Sequence, residues 1–223
     1  MADLIFIAKL SDGVQISLDY KSYRLAFRDV TASTNERSMI MTILPKNVFC
    51  PHTVSLEQVY DVRVEDGKLN PNYQLISNAE KLYICTVMNS FIIDAYLRRS
   101  ITNHLLFFFI YATPVPRLTK NDRNFNDIVQ RAAKLICTTP EFDKLAQEVS
   151  LGSHQQGVTD ETERAKLRAE LDGMVAHLYG LTEDEFSYIL TTFPIVNAIV
   201  KEAALEAYRN FVPVFKNLEI LSR

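Results

Sequence analysis

Between residues 80 and 99 the chain runs for twenty positions without a glycine or a proline. Within that run Leu82, Tyr83, Val87, Met88, Phe91, Ile92, Ala95 and Tyr96 recur at helical spacing. The pattern predicts one mostly buried helix. It closes on Arg98-Arg99, where positive charge suits the C-terminal end of the helix dipole. A fold must therefore be built around this segment.

The sequence before it reads as short strands and turns. L-I-F-I-A-K-L and V-Q-I-S-L-D-Y flank Ser11-Asp12-Gly13, which predicts a hairpin. Residues 23–30 alternate in part, and residues 39–44 form a second apolar run closed by Pro45. Residues 105–111 are short, aromatic and uncharged and stop at Pro114-x-Pro116, which predicts a buried strand. From Asn124 onward the pattern is helical. Phe125, Ile128, Val129, Ala132, Leu135 and Ile136 make one stripe, and Thr139-Pro140 places a cap and a first-turn proline before residues 141–149. Residues 151–158, with Gly152 and Gly157, read as the clearest flexible loop. Helices are expected over 162–179, ended by Gly180, then after the capping box Thr182-x-x-Glu185, then over 195–210. The expected class is α+β: a strand-rich part with one buried helix over residues 1–120, and a helical part over 121–223 packed on it.

At 223 residues, 48% of them apolar, the chain is large enough for a substantial core. Cys50, Cys85 and Cys137 are odd in number and widely spaced, and His52, His104, His154 and His177 lie equally far apart. Neither a disulfide framework nor a metal site is suggested, and a reducing, cytoplasmic compartment is expected. No apolar stretch approaches the roughly 20 residues of a membrane span. The net charge of −3 is uneven. Residues 1–125 hold 14 Lys/Arg against 12 Asp/Glu, a balance of +2, and residues 126–223 hold 10 against 15, a balance of −5. A polyanion would meet the first part, although +2 does not by itself argue for nucleic acid.

One stretch resembles a catalytic motif. In L-N-P-N-Y-Q-L, Asn70-Pro71-Asn72-Tyr73 differs at one position from the Asn-Pro-Pro-Tyr tetrad that holds adenine for methylation. That chemistry needs a glycine-rich turn for S-adenosylmethionine, and no G-x-G occurs among the six glycines. Asn-Pro and Asn-Tyr after Asp66-Gly67 read as turn chemistry. A nucleophile elbow, a phosphate loop and an H-E-x-x-H motif are also lacking.

A polar constellation remains: Arg24, Arg28, Thr34, Asn35 and Arg37 around one connection, then Lys46, Asn47 and His52, and later Asn103 and His104. Arg and Asn pair with base edges, and Lys and Thr hold phosphates. Internal ion pairs of Arg28 and Arg37 with Asp29 and Glu36, and a turn capped by Asn103, would account for the same residues without a ligand.

Three blocks carry a resemblance: Y-R-L-A-F-R-D-V-T-A-S-T-N-E-R-S-M-I-M-T-I-L-P, L-Y-I-C-T-V-M-N-S-F-I-I-D-A-Y-L-R-R and T-N-H-L-L-F-F-F-I-Y-A-T-P-V-P-R-L. R-A-E-L-D-G-M-V-A-H-L-Y-G-L-T-E-D-E-F-S-Y-I-L extends it over roughly residues 20–195. In order and spacing they resemble the C-terminal target-recognition region of fused type II restriction-modification enzymes and their adenine-N6 DNA methyltransferase relatives. The resemblance implies a non-catalytic module that recognises double-stranded DNA for a methyltransferase or restriction core in the same or a partner polypeptide. That core, with its S-adenosylmethionine site, would precede Met1, and no cofactor is expected in this chain. Because relatives that share the block matching Arg28, Asn35, Glu36 and Arg37 recognise different DNA, those residues are expected to hold recognition loops or touch backbone. Base readout is expected from non-matching stretches, the hairpin around residues 11–21 and residues 54–73, which include Asn70, Asn72 and Tyr73. The alternative is a helical protein-interaction module that docks the acidic second part onto such a core.

Overall fold

A computed structural model of the chain describes residues 16–32, 34–65, 68–101 and 103–211. The first strand of the predicted N-terminal hairpin, and its turn, lie outside the described residues. Residues 16–18 of the expected second strand are irregular, and Asp19–Lys21 form a 3-10 turn.

Strand β1 (Arg24–Arg28) is the centre of a three-stranded antiparallel sheet, flanked by β2 (Met41–Leu44) and β3 (Val54–Leu56). Leu25 pairs with Ile43 and Phe27 with Met41 across one edge, and Phe27 with Ser55 across the other. Met41 and Ile43 are buried while Thr42 between them is exposed, the alternation of a strand with one covered face. A separate ribbon follows, β4 (Tyr60–Glu65) antiparallel to β5 (Lys68–Gln74). The stretch expected to be a turn at 69–75 is thus mostly strand. Pro71 sits where the register slips between Asp61 and Arg63, an irregularity that tolerates a residue without an N–H.

The helix expected over 80–99 is two helices, α1 (Asn78–Met88) and α2 (Phe91–Arg98). Side-chain chemistry breaks it. Asn89 Oδ1 accepts from Met41 N at 3.0 Å and Asn89 Nδ2 donates to Met41 O at 2.9 Å, so its amide replaces a strand neighbour for β2. Ser90 Oγ then accepts from Ile93 N and starts α2 afresh. The stretch at 105–111 also differs from its expectation. It turns into a short helix, α3 (Phe107–Tyr111), instead of adding a strand to the sheet, whose order is β2-β1-β3. Among the described residues it approaches the sheet through the bridge of the preceding His104 to Val30, with Leu105 N donating to Asp29 O at 2.8 Å, and Phe109 N and Ala112 N find carbonyls within the turn instead.

Five α-helices follow among the described residues: α4 (Arg123–Ile136), α5 (Asp143–Glu148), α6 (Glu161–Leu178), α7 (Glu183–Thr191) and α8 (Ala198–Asn210). The Thr182–Glu185 capping box forms as its sequence predicts. α6 and α8 approach closely at Gly173, where an added Cβ would lie 2.7 Å from Tyr208 N. The loop at 151–158 is tied down. Ser153 and Gln156 cap a 3-10 turn, His154 Nδ1 lies 2.8 Å from Asp143 Oδ1, and Val158 N donates to Lys134 O. Small strands come first and helices after, so the chain is α+β. One contiguous apolar cluster runs from Tyr23 and Phe27 through Leu82, Phe91 and Phe125 to Val175, Phe186 and Ala204. None of the helices among the described residues is long and apolar enough to cross a membrane.

A Cβ on Gly157 would fall 2.0 Å from the carbonyl oxygen of Cys137. Since backbone must move to admit it, Gly157→Ala is expected to lower stability by about 1–3 kcal/mol. Urea denaturation with an unchanged m-value is the measurement.

Candidate nucleic-acid interface

The connection from β1 to β2 holds most of the polar constellation, and it is anchored inward. Asp94, fully buried on α2, accepts from Ser38 N at 3.2 and 3.0 Å through its two oxygens. Arg98 Nε donates to the same carboxylate at 3.0 Å, and Arg98 Nη2 reaches the carbonyls of Asn35 and Glu36 at 2.7 and 2.6 Å. Arg37 lies between Asp94 and Asp172 of α6, 3.8 Å from each, and donates to Asn89 O at 2.5 Å. Its guanidinium stacks 3.8 Å above the Phe91 ring, while that of Arg98 sits 4.4 Å from Phe193. The expected pairing of Arg37 with Glu36 is replaced by these two carboxylates. Sequence gave no warning of Asp172, and the signal for Asp94 was one acid inside F-I-I-D-A-Y-L.

The neighbouring residues serve the same loop. Arg28 Nη2 donates to Arg37 O at 3.4 Å and, with the Asn35 amide turned over, to Asn35 Oδ1 at 3.1 Å, so Arg28 pairs with the loop rather than with Asp29. Arg24 is buried and donates to Val48 O. Arg24, Arg28, Asn35 and Arg37 therefore use their polar groups inside the fold. Lys46 is half-buried with its ammonium 4.9 Å over Tyr23. Asn47 is exposed in the left-handed region at φ 62° and donates its N–H to Tyr20 O at 2.7 Å. Thr34 is exposed. Asn103 is also exposed, its carbonyl accepting from Thr31 N, and the exposed His104 sets Nδ1 3.3 Å from the Asp29 carboxylate.

Asn70, Asn72 and Tyr73 lie together on β5. Asn70 Oδ1 accepts from Asn72 N at 3.0 Å, and Asn72 Oδ1 accepts from Ser17 N at 2.6 Å. Tyr73 is covered by Arg63 of β4, whose guanidinium sits 4.1 Å from the ring and whose Nε is 3.7 Å from Asp61 Oδ2. Val62 and Val64 are exposed on the same strand. Tyr60 anchors the base of the ribbon through its hydroxyl to Ser22 Oγ at 2.9 Å and its N–H to Asp19 Oδ1 at 3.3 Å. Beyond that base neither strand packs closely on any other element among the described residues. Arg63 was missed by the sequence reading. The signal was present in Y-D-V-R-V-E, a strict alternation before Asp66-Gly67.

Burial pushes the Asp172 carboxyl up to about 6, against the attraction of Arg37 and the N–H of Phe91. A carboxyl whose folded value exceeds its unfolded value binds more protons when folded. Stability contributed there is greatest below pH about 4 and falls as pH rises through about 6. Asp172→Asn is expected to remove that slope, worth roughly 3 kcal/mol, from a pH series of urea midpoints. Among the described residues, no group of three or more His, Cys, Asp or Glu could hold a metal ion. Compared with protein-family models, with curated proteins and with solved structures, the chain matches none.

Proposed function

We propose that the chain is a non-catalytic DNA sequence-recognition module of a restriction-modification DNA methyltransferase, holding duplex DNA for a core that carries the catalytic and S-adenosylmethionine sites. The observation that carries this reading is the β4–β5 ribbon. A two-stranded ribbon is one of the two elements that the major groove admits. This one stands clear of the core, exposes Arg63, and lies within residues 54–73 but for its last residue, outside the blocks that carry the family resemblance. The residues inside those blocks, Arg28, Asn35 and Arg37, hold a loop in place, which suits a scaffold common to proteins with different targets. Thr34, Asn47, Asn103 and His104 remain exposed for phosphate or base contact.

The sequence of the ribbon balances Arg63 and Lys68 against Asp61 and Glu65, so its part is readout, not electrostatic affinity. Phosphate contacts from elsewhere on the first part must supply that affinity. The three cysteines are free thiols, in keeping with a cytoplasmic setting.

A second reading, docking of the helical part onto a methyltransferase or restriction subunit, is favoured by one observation. Ile199 and Val200 of α8 are exposed and line, with α6, a groove of about 620 Å³ that Arg131, Lys166, Arg168, Glu170 and Glu206 also line.

A gel shift against a randomised duplex pool at low salt tests the leading reading. Selection of one sequence is expected, with affinity falling steeply as salt rises. Arg63→Ala is expected to relax preference at one position, costing about 1–3 kcal/mol there. If folded protein retains no duplex at low salt but co-purifies with a core subunit, the docking reading replaces it.

A further inference from the structure

The apolar run at 105–111 turns its aromatic side chains outward. Phe109 and Ile110 pack on the core, whereas Leu106, Phe107, Phe108 and Tyr111 are 48%, 42%, 59% and 80% exposed. The rings are held in place. Phe107 meets Phe27 of β1 edge-on at 5.3 Å and lies near-parallel to Tyr111 at 5.8 Å. At roughly 200 Å² per aromatic side chain, the three rings leave on the order of 350 Å² in water, as large as the main patch on an ordinary monomer. A stable protein interface covers about 800 Å² on each partner. This patch supplies less than half of that, which disfavours a second copy of the chain.

The charge of the sequence around it points to a polyanion. From residue 95 to residue 121 there is no Asp or Glu, against Arg98, Arg99, Arg117 and Lys120, in a chain of net charge −3. Arg98 is occupied by Asp94 and the 31–38 loop. Arg99, Arg117 and Lys120 are exposed and enter no ion pair among the described residues. Asp29 reaches toward this segment, and it faces His104. Exposed rings flanked by unpaired cations are the combination that binds single-stranded nucleic acid, the rings stacking on bases and the cations following the backbone. A paired duplex hides the faces of its bases, so such rings would select an unpaired or unstacked one.

We infer that α3 is a stacking platform for an unpaired nucleic-acid base, with Phe108 and Tyr111 supplying the rings and Arg99, Arg117 and Lys120 the charge. This rests on the DNA-binding reading and adds to it a contact that the ribbon does not make.

Anisotropy titrations of the full chain at low salt provide the test, with three labelled probes: a perfect duplex, the same duplex with one bulged base, and the single strand. Because Phe108 and Tyr111 are exposed, Phe108→Ala/Tyr111→Ala should fold, as circular dichroism and thermal melting would verify. Wild type is expected to prefer the bulged probe. The double variant is expected to lose about tenfold affinity for the bulged probe and the single strand, with the perfect duplex unchanged. Arg63→Ala should keep the bulge preference. Equal wild-type affinity for bulged and perfect duplex would overturn the inference, as would a bulge preference that survives the double variant. Sedimentation showing a wild-type dimer that the variant loses would assign the patch to a second copy and overturn it too. Duplex binding without any dependence on α3 removes this inference alone, whereas failure of all three probes removes the DNA-binding reading with it.

Discussion

Asp94 has no exposed surface, and three parts of the chain, the β1–β2 connection, α2 and α6, meet at it or one residue away. Its oxygens take the N–H of Ser38 and the Nε of Arg98, and Arg37 bridges it to Asp172 on α6. A carboxylate taken from water costs several kcal/mol unless its lone pairs are filled. Here the Ser38 N–H and Arg98 Nε fill them, with the Arg37 guanidinium 3.8 Å away as an ion-pair partner, and each guanidinium lies against an aromatic ring. The arrangement sets the path of the β1–β2 connection, the position of α2 behind the sheet, and the contact of α2 with α6. None of these is independent of the others, since withdrawing one partner leaves the rest buried and unpaired.

A second buried pair fixes the other end of the sheet. Lys81 of α1 is wholly buried, donates to Tyr23 O at 2.7 Å, and lies 3.2 Å from Glu57 Oε1. Burial raises the Glu57 carboxyl and lowers the Lys81 ammonium from their ordinary values, in each case as the largest influence. Burial therefore outweighs their mutual attraction, and the pair is a poor source of net stability. What it contributes is position. Glu57 also accepts from Leu25 N at 2.8 Å, so one carboxylate ties α1 to β1 just beyond the end of β3. With Asn89 bonded to Met41 at the other edge, α1 is fastened across the sheet at both ends by polar groups rather than by apolar packing alone.

These fastenings explain what could be read in the sequence and what could not. Helices with local signals were legible: the capping box at Thr182, the proline after Thr139, and the stripe from Phe125 to Ile136 are properties of neighbours in sequence. The break at Asn89 was not, because its cause is a strand 48 residues away. Residues 105–111 have the composition of a buried strand, but Phe109 N bonds to Leu106 O within the segment and Phe107 meets β1 through its ring rather than its backbone, a choice that composition does not encode. The β4–β5 ribbon was legible in principle, through the alternation from Tyr60 to Glu65, yet Asn-Pro-Asn-Tyr drew attention as a motif and concealed the strand around it. Among the named polar residues, sequence separated ligand contact from scaffold poorly. Arg37 and Asn35 have the chemistry of base readers, and only the placement of Asp94 and Asp172 around Arg37, and of Arg28 and Ala32 around Asn35, shows where their polar groups are used.

The two ends of the first part are thus built under different constraints. In the 31–38 loop, side chains of Arg28, Arg37 and Arg98 satisfy backbone carbonyls, so the identity of each residue is fixed by the fold. In the ribbon the dependence runs the other way. Its strands are paired through backbone, its base is held by Tyr60, Asn72 and the Leu75 N to Val59 O bond, and Val62, Arg63 and Val64 face outward without supporting the core. Those three positions can change chemistry while the register of the ribbon stays pinned by Pro71 and its irregularity. On the proposed reading, that is the property a recognition element needs: variable side chains on a backbone whose placement does not depend on them.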